Sequence, residues 1–365
     1  MRTIATAAVL VLLLAGCTAV QSPLLPIPTA GVDGQLGPVT PIGTPEAVAT
    51  GLQAPWSVVR LEGGSALVSE RDRGVVVEVS SDGALRDVAT IDGVVHQGEG
   101  GLLGLAVLDG AWVYAYFTTA SDNRIERFAL EGEPGSYSLG AGEEVLTGLE
   151  KAGNHNGGRI AFGPDGMLYA TVGDAGEPDR AQDADSLNGK ILRMTPEGGV
   201  PDDNPGDSLV YSMGHRNPQG LTWDDQGQLW AAEFGQDTWD ELNRIEAGGN
   251  YGWPVVEGTS DDGDFINPAA QWATDDASPS GLVYTRGTFF MAGLGGERLW
   301  VMYPREDGTV DPVEYFTGEY GRIRDVIAGP DGSLWFLTNN TDGRGSPRDG
   351  DDHLWQLGLD VMREG

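Results

Sequence analysis

The clearest candidate for a catalytic residue in this sequence is a histidine in a glycine-rich turn. His155 lies in the stretch GNHNGGRIAFGPDGMLYATVGDAG (153–176), between two asparagines and before two glycines and an arginine. The PDG turn and the apolar run after it predict a strand, so the histidine stands in a loop near a strand entrance. Loops on a rigid scaffold carry many functional residues. The residues alone leave two interpretations open: a histidine that does chemistry, and a turn histidine that hydrogen-bonds the backbone.

A pair of arginines provides a second candidate site. In GRIRDV (321–326), Arg322 and Arg324 are two residues apart on a segment with extended character, so both side chains point to the same face. Two guanidinium groups on one face repel unless an anion lies between them, and a small polycarboxylate would satisfy both. The alternative is a pair of surface arginines bound to nearby acids.

Oxygen ligands are concentrated between Gly235 and Asp261. Asp237, Asp240 and Glu241 lie in this segment beside turn carbonyls. Calcium binds a mixture of carboxylate and carbonyl oxygens, although the spacing is not that of an EF-hand loop. The four histidines and the single cysteine form no cluster in the sequence, which argues against a tetrahedral zinc site.

The overall charge narrows the range of partners. With 55 acidic and 22 basic residues, the chain has a formal net charge of −33. So much negative charge disfavours binding to nucleic acid or to anionic lipid headgroups. The single cysteine also excludes an intramolecular disulfide.

The N-terminus has the pattern of an export signal. A short basic start and an apolar run end in LAGC, which resembles a bacterial lipobox, so we expect residues 1–17 to be a signal peptide and Cys17 to be lipidated. A plain signal peptide cut near residue 19 is the alternative. Residues 18–45 are rich in proline and predict a flexible tether, followed by one folded domain over 46–360. The protein is therefore expected outside the cytoplasm, anchored to the bacterial cytoplasmic membrane.

The elements that must position these residues are strands. They recur along the sequence in pairs, each with a first strand followed by a second strand, and we call each pair a two-strand phrase. The first strands of the phrases are ALVSE, VYAYF, LYATV, LWAAE, FFMAG and LWFLT, and the second strands are GVVVEVS, NRIERFAL, KILRMTP, ELNRIEA, ERLWVMYP and HLWQLGL. Self-similarity of this period, built from β phrases, predicts an all-β, six-bladed β-propeller. A β-sandwich would not explain the repeated turn and strand phrase.

Four motifs in this order resemble one known family. NHNGGRIAFGPDGMLYATVGD, GKILRMTPEGGVPDDNP, GHRNPQGL and GGNYGWP are similar to motifs of the soluble quinoprotein sugar dehydrogenases. Members of this family use pyrroloquinoline quinone (PQQ) and calcium on a six-bladed propeller. The resemblance runs from about residue 46 to 357, and it implies a PQQ- and calcium-dependent enzyme that oxidises aldose sugars at C1 to lactones and passes electrons to an unidentified acceptor.

The resemblance also implies roles for individual residues. His155 matches the catalytic base, which takes the proton of the sugar C1 hydroxyl while hydride passes to the quinone. Arg216 and Asn217 match residues beside the quinone carbonyl, where Arg216 would stabilise developing charge. Arg322 and Arg324 match the pair that grips the PQQ carboxylates.

Two calcium sites are implied in the same way. Gly235 and Gln236 align with positions whose backbone carbonyls bind the calcium of the cofactor. Glu241, Tyr251 and Asp261 align with ligands of a second, structural calcium.

Three departures from the family pattern fall on expected cofactor contacts. Glu99 replaces a glutamine of the glucose-type members and adds negative charge near the cofactor. Asn154 replaces an aspartate before the histidine, so it can orient the imidazole but not stabilise its cation. Gly295 stands where members supply a lysine or arginine, and Arg298 is a candidate substitute.

Two other functions stay open on these residues. One is a non-catalytic propeller that binds carbohydrate or protein on the same face. The other is a calcium-dependent lactonase, against which the paired arginines argue, because a lactonase has no need of an anion clamp.

Overall fold

The computed structural model describes residues 37–362. Cys17, the signal peptide of residues 1–17 and the tether as far as residue 36 lie outside the described residues. Within the described range, no helix is long and apolar enough to span a membrane. Its helical content is two short 3₁₀ turns, Pro178–Ala181 and Pro330–Gly332.

The described residues form six four-stranded antiparallel sheets, which are the six blades of a propeller. We number the strands β1 to β24 in chain order. From inner to outer strand, blades one to three are β2 to β5 (Pro55–Arg60, Ala66–Glu70, Val75–Val79, Leu85–Thr90), β6 to β9 (Leu102–Leu108, Trp112–Thr118, Asn123–Glu131, Ser138–Leu149) and β10 to β13 (Ile160–Phe162, Leu168–Val172, Lys190–Met194, Val210–Met213). Blades four to six are β14 to β17 (Asn217–Trp223, Leu229–Phe234, Trp239–Ile245, Ala270–Ala273), β18 to β21 (Pro279–Thr285, Thr288–Gly293, Arg298–Pro304, Val310–Tyr315) and β22 to β24 with β1 (Ile323–Ala328, Leu334–Thr338, His353–Val361, Val39–Thr50).

The predicted six-bladed propeller is therefore confirmed, and the predicted two-strand phrases are the second and third strands of each blade. Turn chemistry explains their placement. In the GPDG turn of blade three, the Asp165 carboxylate accepts the Met167 N–H at 3.0 Å, and Gly166 has a φ of +76°. An Asp followed by Gly in the left-handed region is a favoured way to reverse a chain between two strands.

The predicted end of the tether is wrong. β1 begins at Val39 and pairs antiparallel with β24, with Val39 opposite Val361 and Thr50 opposite His353. Residues 39–45 thus belong to the outermost strand of blade six, because the carbonyls and N–H groups of β24 need a partner strand. One blade is built from both ends of the described chain, and this pairing closes the ring.

The hydrophobic core lies between neighbouring blades. Tyr114 and Tyr116 of blade two pack with Leu168 and Val172 of blade three, and all four side chains are buried. Apolar residues on both faces of the middle strands fill these spaces, whereas the innermost strands surround a central channel. At one end of that channel the loops that carry the conspicuous motifs of the sequence come together.

Candidate active site

A polar cavity of about 100 Å³ lies at one end of the central channel. Innermost strands supply part of its wall, through Trp56 of β2, Asn217 and Gln219 of β14 and Arg324 of β22. Its charged lining residues are Arg71, Glu99, Arg322, Arg324 and Arg344. Four guanidinium groups and one carboxylate make this cavity cationic, in a protein that is otherwise strongly acidic.

The two arginines predicted to share a face line the same cavity. Arg322 forms an ion pair with Asp342 at 3.0 Å, and Arg324 donates to the Gln219 side chain at 2.9 Å. The buried Nε of each arginine has no hydrogen-bond partner. Burial lowers the pKa of Arg324 to about 9, against the opposing effect of Asp342, and nearby Arg322 adds to the lowering. Oδ2 of Asp342 lies 3.0 Å from Arg322 and 3.7 Å from Arg324, so the two arginines share one protein carboxylate, while the Nε–H of each still lacks an acceptor.

Arg71 and Arg344 line the cavity as well, and sequence reasoning missed both. Arg71 comes from the β3–β4 turn and donates to the Asp342 carbonyl at 3.1 Å. Arg344 comes from the loop after β23 and donates to Glu99 at 2.9 Å. The charge that Glu99 adds is thus paired with a cation that enters from another blade. No sequence motif indicated either arginine, because each comes to line the cavity only when the blades are arranged in a ring.

His155 lies beside the cavity and is held by a buried carboxylate. Its Nδ1 is 2.7 Å from Oδ1 of Asp174, and its backbone N–H donates to Glu99, a lining residue, at 3.0 Å. Burial would raise the pKa of Asp174, but hydrogen bonds from His155, from the Gly176 N–H and from the Trp253 indole outweigh it and lower that pKa. Asp174 is thus an anion that holds a proton on Nδ1 and leaves Nε2 as the basic nitrogen.

Asp174 corrects the expectation for Asn154. Asn154 is exposed and forms no hydrogen bond to the imidazole in the described part of the chain, so Asp174 orients the ring instead. The signal was present in the sequence, because Asp174 ends the VGD of the opening stretch. The contact could not be predicted because Asp174 is far from His155 along the chain. The β10–β11 hairpin brings the two loops together.

The backbone at His155 adopts a conformation that L residues avoid. Its φ is +54°, a strained value for a residue with a Cβ, of the kind that is concentrated at functional sites. The neighbouring chain fits closely around it. A Cβ on Gly173 would lie 2.1 Å from the His155 carbonyl oxygen, so only glycine fits before Asp174. The loop is therefore built to hold the histidine in one position.

Arg216 is connected to the same network. Its guanidinium donates to the Gln236 side chain and lies 5.6 Å from the centre of the Trp253 ring, whose indole N–H donates to Asp174 at 2.9 Å. Burial lowers the pKa of Arg216, and the surrounding carboxylates offset this only in part. Its backbone N–H donates to Glu233, which also binds the buried His215 ring at 2.7 Å. Asn217 lines the cavity and accepts the Gly157 N–H at 3.0 Å.

The residues expected to bind calcium are brought together in part. Gly235, Glu241 and Tyr251 line one small cavity, together with Arg216 and five other charged or apolar side chains of blade four and its loops. The Tyr251 hydroxyl already donates to the Arg244 carbonyl at 2.6 Å, which leaves its backbone carbonyl for a ligand role. Asp261 is exposed and does not line this cavity. Over residues 37–362, no cluster of three or more His, Cys, Asp or Glu side chains has metal-binding geometry.

Arg298 does not substitute for the basic residue missing at Gly295. It donates to the Gly296 carbonyl at 2.8 Å and to Glu314 at 2.6 Å, and its guanidinium lies over the Trp300 ring. Its side chain is held on β20 and outside the cavity. Arg71 and Arg344 supply the cavity with positive charge instead.

The sequence and the fold both match known proteins. The model of the family described as Glucose / Sorbosone dehydrogenase matches residues 52–346. The structure of the PQQ-bound form of aldose sugar dehydrogenase from Streptomyces coelicolor is 49% identical, with a TM-score of 0.84, and the match covers 89% of this chain and 98% of that one.

Two further relatives match over parts of their length. Aldose sugar dehydrogenase YliI of Escherichia coli is 33% identical over 218 residues, which is 52% of this chain and 59% of the relative. Quinoprotein glucose dehydrogenase B of Acinetobacter calcoaceticus is 30% identical over 264 residues, which is 60% of this chain and 55% of the relative.

Proposed function

Since this chain belongs to the glucose/sorbosone dehydrogenase family, we propose that it is a PQQ-dependent sugar dehydrogenase that oxidises aldoses at C1 to lactones. The observation that carries the proposal is the cationic cavity beside the His155–Asp174 pair. The experiment that tests it is reconstitution of the purified protein with PQQ and Ca²⁺, followed by dye reduction with a panel of aldoses. Reconstituted protein that reduces no dye with any aldose would contradict the proposal.

The cavity fits the chemistry of PQQ, which is a planar tricarboxylate. Arg322 and Arg324 each leave a buried Nε–H without an acceptor, and the lining arginines outnumber the lining carboxylates. Planar guanidinium groups bind carboxylates through paired hydrogen bonds. We therefore assign Arg322 and Arg324 to the carboxylates of PQQ, with Arg71 as a further cation, and Arg216 and Asn217 to its quinone side.

When bound, PQQ supplies a two-electron oxidant for the C1 position of the sugar. His155 accepts the proton of the C1 hydroxyl on Nε2, the nitrogen that no protein group occupies in the described residues. Asp174 holds the other proton at Nδ1 and stabilises the imidazolium that forms. Arg216 places a partly compensated positive charge beside the pair, where it favours negative charge that develops during the reaction.

Asp174→Asn is expected to lower kcat by about 100-fold, because the imidazole would lose both its orientation and its counter-charge. The PQQ dissociation constant is expected to stay within about threefold, since Asp174 does not line the cavity. Steady-state kinetics and fluorescence titration with PQQ measure the two effects. Asp179→Asn, an exposed aspartate of the same connection, is the control. A weaker affinity for PQQ with unchanged kcat would contradict this role.

We also propose that the protein binds calcium beside this site. Glu241 and Glu233 are buried and Glu257 is half-buried around the small cavity of blade four, and burial followed by repulsion from Glu233 raises the pKa of Glu241. A bound cation would relieve that repulsion. The carbonyls of Gly235 and Gln236 are the ligands proposed for the calcium of the cofactor, and Glu241 with Tyr251 for a structural ion.

Calcium is expected to stabilise the fold by about 2.7 kcal/mol when its concentration is a hundredfold above the dissociation constant. Thermal unfolding in Ca²⁺ and in EGTA measures the difference. Glu241→Gln is expected to reduce the calcium-dependent shift in Tm, whereas Asp261→Asn is expected to keep it, because Asp261 lies away from the cavity. The same Tm in Ca²⁺ and EGTA, with no metal in the purified protein, would exclude the calcium sites.

The lipid anchor at Cys17 and the signal peptide of residues 1–17 remain proposals that rest on the LAGC pattern. They place the enzyme outside the cytoplasm on the membrane surface. The tether of that proposal ends before Val39, where β1 begins.

A further inference from the structure

The hairpin loop between β15 and β16 turns its N–H groups toward two carboxylates. Oε1 of Glu257 accepts hydrogen bonds from four consecutive backbone N–H groups: Gln236 at 2.6 Å, Asp237 and Thr238 at 3.1 Å and Trp239 at 3.2 Å. The N–H before them, that of Gly235, donates to Asp240 at 2.8 Å. Five successive N–H groups of the loop therefore point at carboxylate oxygens.

This arrangement determines where the carbonyls of the loop point. The peptide bonds of the loop are trans, and in a trans peptide the C=O points opposite to the N–H of the same plane. The Gly235 carbonyl shares a plane with the Gln236 N–H, and the Gln236 carbonyl with the Asp237 N–H. Both carbonyls consequently point away from Glu257. Among residues 37–362, no backbone or side-chain hydrogen bond ends on either of them.

We propose that Glu257 is the positioning residue of the calcium site: it gathers the N–H groups of the loop so that the carbonyls of Gly235 and Gln236 are presented together to the ion. The inference rests on the calcium-dependent function proposed above, and it adds a residue that no family motif marked. Calcium prefers carbonyl and carboxylate oxygens, and a loop whose carbonyls are already oriented loses less conformational freedom on binding.

The same loop also holds the charged residue next to it. The Gln236 side chain accepts hydrogen bonds from Arg216, so the position of the loop sets the position of that guanidinium. Glu257 thus supports both a cation site and Arg216 through one segment of backbone. Because Oε1 of Glu257 already accepts four N–H groups, its role is to organise the loop, and the ion is bound by the carbonyls.

The test compares three variants of the full chain without PQQ. Tb³⁺ luminescence sensitised by nearby tryptophans and displaced by Ca²⁺ is measured in a Glu241→Gln background, which removes the proposed structural site, so that it reports binding at this loop without any need for activity. Glu257→Ala is expected to weaken Ca²⁺ binding by about 10- to 100-fold, the usual cost of losing a group that orients metal ligands. Glu257→Gln is expected to stay within about threefold of the Glu241→Gln parent, because an amide oxygen still accepts the N–H groups. Glu246→Ala, which removes an exposed carboxylate of the same blade, is the matched control.

Three outcomes would overturn the inference, and they can be told apart. If Glu257→Ala lowers Tm but leaves the Ca²⁺ affinity unchanged, Glu257 is structural only. If Glu257→Gln is as weak as Glu257→Ala, the charge itself binds the ion. If the wild-type protein binds no Ca²⁺, the calcium part of the proposed function is wrong as well, irrespective of the variants.

Discussion

Replacing His155 by Asn is expected to lower the rate of sugar oxidation by about 10²- to 10⁴-fold, the range typical of losing a positioned general base. The fold and the PQQ affinity are expected to remain, because the cavity is lined by arginines that do not depend on the imidazole. The ascending limb of kcat against pH, which deprotonation of a histidine base produces, is expected to disappear. Stopped-flow dye reduction over a range of pH and titration with PQQ measure these effects.

His96→Asn is the control for this variant. His96 lies at the surface, with its Nδ1 3.2 Å from Asp72, and it does not line the cavity. A His155→Asn enzyme that oxidises sugars at the wild-type rate would refute the catalytic role. The NHNGG stretch would then be a turn in a binding propeller, one of the two alternatives that the sequence leaves open. Reconstituted protein that binds PQQ and sugars without dye reduction would favour the same alternative.

Arg322→Ala is expected to have the reverse effect of His155→Asn: it weakens PQQ binding and leaves the rate at saturating PQQ nearly unchanged. A hydrogen bond between charged groups contributes about 1.5–3 kcal/mol, so the dissociation constant of PQQ is expected to rise about 10- to 100-fold. At saturating PQQ, kcat is expected to change by less than about threefold, because Arg322 makes no contact with His155 in the described structure. Fluorescence titration and kinetics at several PQQ concentrations separate the two quantities.

Arg298→Ala provides the comparison, because Arg298 is bound to Glu314 outside the cavity. It is expected to leave the PQQ dissociation constant unchanged. Weaker PQQ binding in Arg298→Ala than in Arg322→Ala would show that the ligand lies elsewhere. The assignment of the cationic cavity to the cofactor would then be wrong.

The sequence predicted the two middle strands of every blade because they have the clearest composition. Strands such as LYATV and LWFLT are buried along their whole length and contain a single threonine each among apolar residues, since neighbouring blades bury both of their faces. The innermost strands of blades four and six have no such signal in their composition. Asn217–Trp223 and Ile323–Ala328 contain asparagine, arginine and aspartate, so they lack the apolar composition that identifies the middle strands, although the extended character predicted for GRIRDV agrees with β22.

The part of the site that lies within local sequence motifs could be predicted from the sequence. His155, Arg322 and Arg324 were found from local pattern, and the two arginines do share one cavity. Asp174 and Arg344 could not be found in this way, because each meets its partner only after separate loops of the ring converge. The expectations for Asn154 and Arg298 failed for the same reason, since a short distance along the chain does not determine which side chain faces the cavity.

The strand that closes the ring also determines on which face of the propeller the N-terminal segment is attached. Ile323 of β22 and His353 of β24 lie at the cavity end of blade six, and the pairing of Thr50 with His353 places Val39 at the other end. If Cys17 carries lipid as proposed, the 21 residues from 18 to 38 span at most about 75 Å and join the propeller on the face opposite the cavity. The lipid would then be attached at the end of the propeller that lies away from the cavity, so the attachment itself would not obstruct the approach of the sugar or the electron acceptor.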